Sequence, residues 1–194
     1  MPTRVVIAED EAIIRLDLKE TLEEEGYEVV GETGRGDEAV ALVRELQPEI
    51  AILDIKMPGI DGLTAARQIT ADQLCAVLVL TAFSQRDLVE QARDSGALAY
   101  LVKPFQRSDL VPAIELAVGR FRELRALTEQ TKSLEEQLET RKVVDRAKGI
   151  LMDTHGLTEA DAFAFIQKSA MGDRTTMRAV ADAILAGSLK PENP

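Results

Sequence analysis

The chain has 194 residues and a mass of 21.2 kDa, room for one large domain or two small ones without cross-links. Its 45% hydrophobic and 29% charged residues exclude a mainly disordered chain, and 4% aromatics with no Trp make base stacking a poor basis for binding. The net charge of −11 sits in one part: residues 1–119 hold 11 basic and 22 acidic residues, and residues 120–194 hold 12 of each, so the acidity does not argue against a polyanion partner for the second part.

The first strand is expected at Val5–Ala8, an apolar run ended by acids, with a helix over Ala12–Glu25 stopped by Gly26. A second run at Tyr27–Val30 precedes a helix over Asp37–Leu46, closed by Pro48. Ile50–Leu53 is the third run, followed by the turn Met57-Pro58-Gly59 and a short helix over Leu63–Ile69. Val77–Leu80 is the fourth, with a helix over Gln85–Asp94 ending near Gly96, and Ala99–Val102 is the fifth. Ser108 is positioned to cap a last helix with Pro112 in its tolerant first turn. Five apolar runs alternating with five helices predict a doubly wound α/β domain with a parallel sheet covered on both faces.

Beyond residue 113 the strand signal stops. Ile114, Ala117, Phe121, Leu124, Leu127, Thr131, Leu134 and Leu138 step by three and four, which predicts one long helix with coiled-coil character. An amphipathic helix folded back on its own domain is the alternative. His155-Gly156 is expected to end it near Thr154. Thr158 then caps a second helix that carries Phe163, Phe165 and Ile166 at core spacing, and a third follows from Thr175. The predicted division is 1–119, a helical linker over 120–140, an all-α three-helix domain over 131–186 and a disordered tail over 187–194. The single thiol, Cys75, allows no internal disulfide and suits a reducing compartment. With acids from Glu9 onward and no apolar run of roughly 20 residues, the expectation is a cytoplasmic protein with no membrane partner.

The chemistry-bearing residues share one address. Glu9 and Asp10 follow the first strand, Asp54 ends the third, Thr81 ends the fourth and Lys103 follows the fifth. In an open α/β sheet these carboxyl ends open into one crevice. Three carboxylates placed together repel unless a cation neutralises them, and oxygen donors on loose turns suit Mg²⁺. A metal and a lysine side by side suit charge neutralisation in phosphoryl transfer. Thr81 offers a hydroxyl to a phosphate oxygen, and Asp54, between an apolar strand and a Pro-Gly turn, suits an aspartyl nucleophile.

Over residues 4–118 the chain resembles the receiver domain of two-component response regulators, on Glu9-Asp10, on Asp54 with Met57-Pro58, Asp61 and Gly62, on Thr81-Ala82 and on Lys103-Pro104-Phe105. That resemblance implies a flavodoxin-like fold and Asp54 as the acceptor of a phosphoryl group from a sensor histidine kinase. It implies Mg²⁺ held by Asp10 and Asp54, by Glu9 through water and by the Lys56 main-chain carbonyl. It also implies Thr81 and Tyr100 as the switch pair, an open pocket beside Ala82 and a cis Lys103-Pro104 bond. Glu9 stands where that family more often has Asp.

The second part carries Arg141 and Lys148, seven apart, and Lys142 and Arg146, four apart, on one broad helix face, with Arg174 and Arg178 further on. These could bracket a phosphate backbone or simply solvate a charged helix. Residues 145–152, Thr158-Glu159, Ala162-Phe163, Ala170-Met171, Arg174-Thr175 and Val180-Ala181 resemble the ANTAR family of antitermination regulators, over about residues 130–186. The combined layout, with residues 82–88, is similar to actinobacterial phosphorylation-dependent antitermination regulators. The resemblance implies an RNA-hairpin-binding three-helix module that acts on the transcription elongation complex, with a homodimer on activation. Arg146, Lys148, Arg174 and Arg178 are the expected RNA contacts; the small Ala147 and Gly149 permit close approach of RNA or of another helix. A helix-turn-helix DNA binder and a protein-docking arm are the alternative outputs. No constellation after residue 119 suggests an enzyme, so phosphoryl transfer to and from the receiver itself is the only chemistry expected.

Overall fold

The computed structural model describes residues 2–82 and 93–190. The strands are β1 (Arg4–Ala8), β2 (Glu28–Thr33), β3 (Ile50–Asp54), β4 (Ala76–Thr81) and β5 (Ala99–Val102). The helices are α1 (Ala12–Glu24), α2 (Gly36–Leu46), α3 (Gly62–Ala71), α4 (Arg107–His155), α5 (Glu159–Gly172) and α6 (Met177–Leu185). All but the last two residues of the helix expected over 85–94 lie outside the described residues. The chain divides into two compact units, 1–126 and 127–194.

In the first unit every strand pairing is parallel and the order is β2-β1-β3-β4-β5. Successive side chains of a strand point to opposite faces, and here both faces are apolar. Val6, Ala8, Ala51, Leu53, Val77 and Val79 pack under α2 and α3. Val5, Ile7, Ile50, Ile52, Leu78 and Leu80 pack against α1 and the first turns of α4, through Leu18, Leu22, Leu110 and Ile114. Each fully buried Leu or Ile contributes on the order of 2 kcal/mol. The edge strands are only half covered, which differs from the uniform burial expected; β2 also reaches Thr33 rather than stopping at Val30.

Several local signals act differently from expectation. Ser108 does not cap α4, which starts at Arg107; instead the Gln106 N–H donates to Asp109 Oδ2 at 3.0 Å. Pro112 is consequently inside the helix, past its first turn. Asp61 does cap α3, accepting from the Thr64 N–H at 2.7 Å. Cys75 is 1% exposed, and burial pushes its thiol up to about 12.

In the second unit Val144, Ala147 and Leu151 of α4 form a core with Ala162 and Ile166 of α5 and with Val180, Ala181 and Ile184 of α6. Gly156, at φ +66°, ends α4 after His155. Thr158 caps α5 as expected, whereas the last helix is capped by Thr176 and starts at Met177. Phe163 is 43% exposed, so it is not the core residue its spacing suggested; Ile166 is fully buried and Phe165 half-buried. Leu124, Leu127, Leu134 and Leu138 are all exposed along α4. Among the described residues no helix is long and apolar enough to cross a membrane.

Candidate functional site

Parallel strands bring their carboxyl ends to one edge of the sheet, and the five residues singled out there meet in space. Lys103 Nζ lies 2.5 Å from Glu9 Oε2 and 2.7 Å from Asp54 Oδ1. The other Asp54 oxygen accepts from the Lys56 N–H at 2.8 Å. The backbone ladder extends past the strands: Lys103 N–H donates to the Thr81 carbonyl at 2.7 Å, and Ile55 N–H to the Leu80 carbonyl at 3.1 Å. Oxygen atoms of Glu9, Asp10 and Asp54 lie within 4.8 Å of one another. Glu9 is fully buried, Asp54 and Thr81 nearly so, and Asp10 is exposed at the mouth. A pocket of about 210 Å³ opens over them, lined by Asp10, Asp54, Lys56, Thr81, Ala82 and Lys103.

The electrostatics follow from burial. Desolvation raises the Glu9 pKa, and the neighbouring Asp54 charge adds to it, against the lowering by Lys103. Burial pulls the Lys103 pKa down, but hydrogen bonds to Asp54 and Glu9 outweigh it, so the ammonium is held above its ordinary value. Lys103 thus pairs with two of the three clustered carboxylates. The remaining negative charge and the all-oxygen donor set fit a hard divalent ion such as Mg²⁺.

The turn after Asp54 is braced from two sides. Gly62 N–H donates to the Ile55 carbonyl at 2.9 Å, and Gly36 N–H to the Pro58 carbonyl at 3.2 Å. A Cβ on Gly62 would lie 1.9 Å from the Asp54 carbonyl oxygen. Arg15, which nothing in its sequence position flagged, folds back from α1 and donates to the Glu9 carbonyl at 2.5 Å. Tyr100 is exposed on β5, and the Lys103-Pro104 bond is cis.

The basic residues of the second unit fall into two groups. Lys148 has a side chain only 14% exposed and lies 2.8 Å from both Asp145 and Glu159. Its charge is therefore satisfied within the unit. Lys142 and Arg146 stand four apart on another side of α4, since two residues turn a helix by roughly 200°. Lys142 lies 2.7 Å from Glu139; Lys142 first, then Arg178 and Arg146, holds the Glu139 carboxyl below its usual range. Arg178 of α6 thus joins the field of Lys142 and Arg146, around a carboxylate that sequence reasoning missed. Arg174 is exposed at φ +51° in the α5–α6 turn. Ala147 is fully buried in the core with α5 and α6, and that packing accounts for its small size. A Cβ on Gly149 would meet nothing within 4 Å.

Comparison with known proteins agrees with both parts. Residues 5–115 match the response regulator receiver domain, and residues 132–185 match the ANTAR domain. The chain is 60% identical over 185 residues to the transcriptional regulatory protein PdtaR of Mycobacterium tuberculosis, covering 95% of this chain and 90% of that protein. It is 40% identical over 115 residues to the chemotaxis protein CheY of Thermotoga maritima, covering 59% of this chain and 96% of that one. The signal receiver domain of the putative response regulator NarL from M. tuberculosis superposes with a TM-score of 0.59 at 31% identity, covering 61% of this chain and 97% of that structure.

Proposed function

The chain belongs to the response regulators that join a receiver to an ANTAR domain, and from that premise we propose that Asp54 phosphorylation controls RNA-hairpin binding and transcription antitermination. The observation that carries the receiver half is Lys103 held between Glu9 and Asp54, with the second Asp54 oxygen fixed by the Lys56 N–H.

In this reading an Asp54 carboxylate oxygen attacks the phosphorus of a kinase phosphohistidine, a P–O bond forms and the P–N bond breaks. Lys103 offsets charge on the transferred group, and the Thr81 hydroxyl bonds one of its oxygens. Asp10 and Asp54, Glu9 through water and the Lys56 carbonyl would hold Mg²⁺, which supplies further charge neutralisation at the phosphoryl oxygens. The new phosphate adds about −1.5 to −2 charges beside Thr81, and Tyr100 follows Thr81 inward. The chemistry in this reading is phosphoryl transfer to Asp54 and hydrolysis of the resulting acyl phosphate.

For the output, the shared influence of Lys142, Arg178 and Arg146 on the Glu139 carboxylate supports an RNA face on α4 and α6, extended by Arg174, with bare backbone at Gly149. Lys148, paired with two acids, contributes less. The exposed Leu124, Leu127, Leu134 and Leu138 support pairing of α4 with a second copy, which doubles the RNA contacts and raises avidity. The elongation complex is where such binding acts.

The test is binding of paired-hairpin RNA and duplex DNA to the full chain, with and without beryllofluoride plus Mg²⁺, across a salt series. Hairpin binding is expected to rise on activation. Arg146→Ala is expected to weaken it several-fold and to reduce the salt slope by about one. Lys148→Ala is expected to leave the slope unchanged. Preference for duplex DNA, or binding to neither, overturns the RNA reading. Separately, Leu134→Glu is expected to weaken self-association at least tenfold by analytical ultracentrifugation; an unchanged dimer constant removes α4 as the pairing surface.

A further inference from the structure

Resting on the proposal that the acidic cluster takes Mg²⁺, we propose that Arg15 is a positioning residue of the metal site, acting through the main chain that carries Glu9 and Asp10. These two adjacent residues supply two of the three clustered carboxylates. Their connecting peptide is planar, so the direction of the Glu9 carbonyl sets the direction in which Asp10 leaves. Arg15 Nη1 holds that carbonyl at 2.5 Å. On the other side the Glu9 N–H donates to the Thr33 carbonyl at 3.0 Å, and Glu9 Oε1 accepts the Glu11 N–H at 3.3 Å. Glu9 is thus tied at its amide, its side chain and its carbonyl; Lys103 reaches the carboxylate from beyond β5, and Arg15 is the side chain that holds the carbonyl.

The site is shaped for this guanidinium. Arg15 is half-buried one turn into α1, and its own N–H is bonded to the Glu11 carbonyl at 2.9 Å. Gly34, at the end of β2, leaves it room: a Cβ there would lie 3.3 Å from Arg15 Nη1 and 3.6 Å from Asp10 Cα. The guanidinium also brings positive charge to the back of a cluster whose front must receive a cation and a phosphoryl group. Its place is behind the donors, orienting them without touching the ion.

The test is calorimetric titration of Mg²⁺ into the full-length wild-type chain, Arg15→Met and Arg15→Lys, with melting of each in EDTA. Outer-shell partners of this kind change metal affinity by about tenfold or more. Arg15→Met, which keeps bulk and helix preference, is expected to bind Mg²⁺ about tenfold more weakly with an unchanged metal-free midpoint. Arg15→Lys is expected to recover most of the loss. Wild-type affinity in Arg15→Met overturns the role. So does a lowered EDTA midpoint without rescue by lysine, which is the signature of a purely structural contact. If the wild-type chain itself takes no Mg²⁺, the metal reading falls, and this role with it.

Discussion

Asp54→Asn is expected to abolish phosphoryl uptake from a small phosphodonor and to leave the receiver folded. Asparagine keeps the shape and an oxygen that can accept the Lys56 N–H, now 2.8 Å from Asp54 Oδ2. It loses the anionic oxygen that must form the new bond, and the neighbouring Glu9 carboxylate is fully buried and already 2.5 Å from Lys103. The substitution also removes the like charge that adds to the burial-driven rise of the Glu9 pKa. Its metal-free melting midpoint is therefore expected to equal or exceed that of the wild type, because fewer carboxylates compete for the one ammonium. Intact-mass measurement after treatment with donor and Mg²⁺ reads the first expectation, and calorimetric melting in EDTA reads the second. A phosphorylated asparagine variant would mean that the acceptor lies elsewhere, and the activated rise in hairpin binding should vanish with the phosphate.

Gly62→Ala should destabilise the receiver by about 3 kcal/mol, at the upper end of what overpacking costs. The added methyl would meet the Asp54 carbonyl oxygen at 1.9 Å and its carbon at 2.8 Å. These are backbone atoms at the end of a fully buried central strand, so they cannot rotate away as a side chain would. The Gly62 N–H bond to the Ile55 carbonyl, 2.9 Å long, fixes the same approach from the other direction. Relief requires moving Asp54 itself, so the rate of phosphoryl uptake should fall together with stability. Gly119→Ala is the control: its Cβ meets nothing within 4 Å on α4, and removing a helical glycine gains about 0.8 kcal/mol. Denaturant melts of both variants decide the matter. A Gly62 variant as stable as the wild type would show that the β3–α3 turn yields freely.

Much of this was legible in the residues alone, and the reason is physical. A parallel sheet buries its central strands on both faces, so Val5–Ala8, Ile50–Leu53 and Val77–Leu80 stand out as unbroken apolar runs. Because those runs end together in space, Glu9, Asp54, Thr81 and Lys103 could be assembled without knowing a single angle. Edge strands lack that signature, so the apolar run ending at Val30 stops three residues before β2 does. What escaped was whatever depends on side chains returning across a turn. Arg15 reads as one more exposed helical arginine until α1 is seen to begin three residues after Glu9, with its first turn over the β1 end. Glu139 reads as one more charge on a solvated helix until Arg178 of α6 is seen to join Lys142 and Arg146 in lowering its pKa. Helical periodicity gives the angle of a side chain and not whether a neighbour covers it; a three-helix unit this small leaves Phe163 at core spacing yet open to water. Ala147 was ambiguous for the same reason, and burial resolves it as packing.

The thiol of Cys75 opens a practical route to testing the proposed switch and self-association. It is the sole cysteine of the chain, buried beneath α3, and its pKa near 12 leaves almost no thiolate at neutral pH. Maleimides and methanethiosulfonates, which consume thiolate, should pass it by in the folded protein. The wild-type background can therefore be kept intact while a new cysteine is placed on the surface, at Tyr100 or along the exposed leucines of α4. Fluorophores or nitroxides attached there would report switching and self-association directly, with the native sequence serving as its own unlabelled blank.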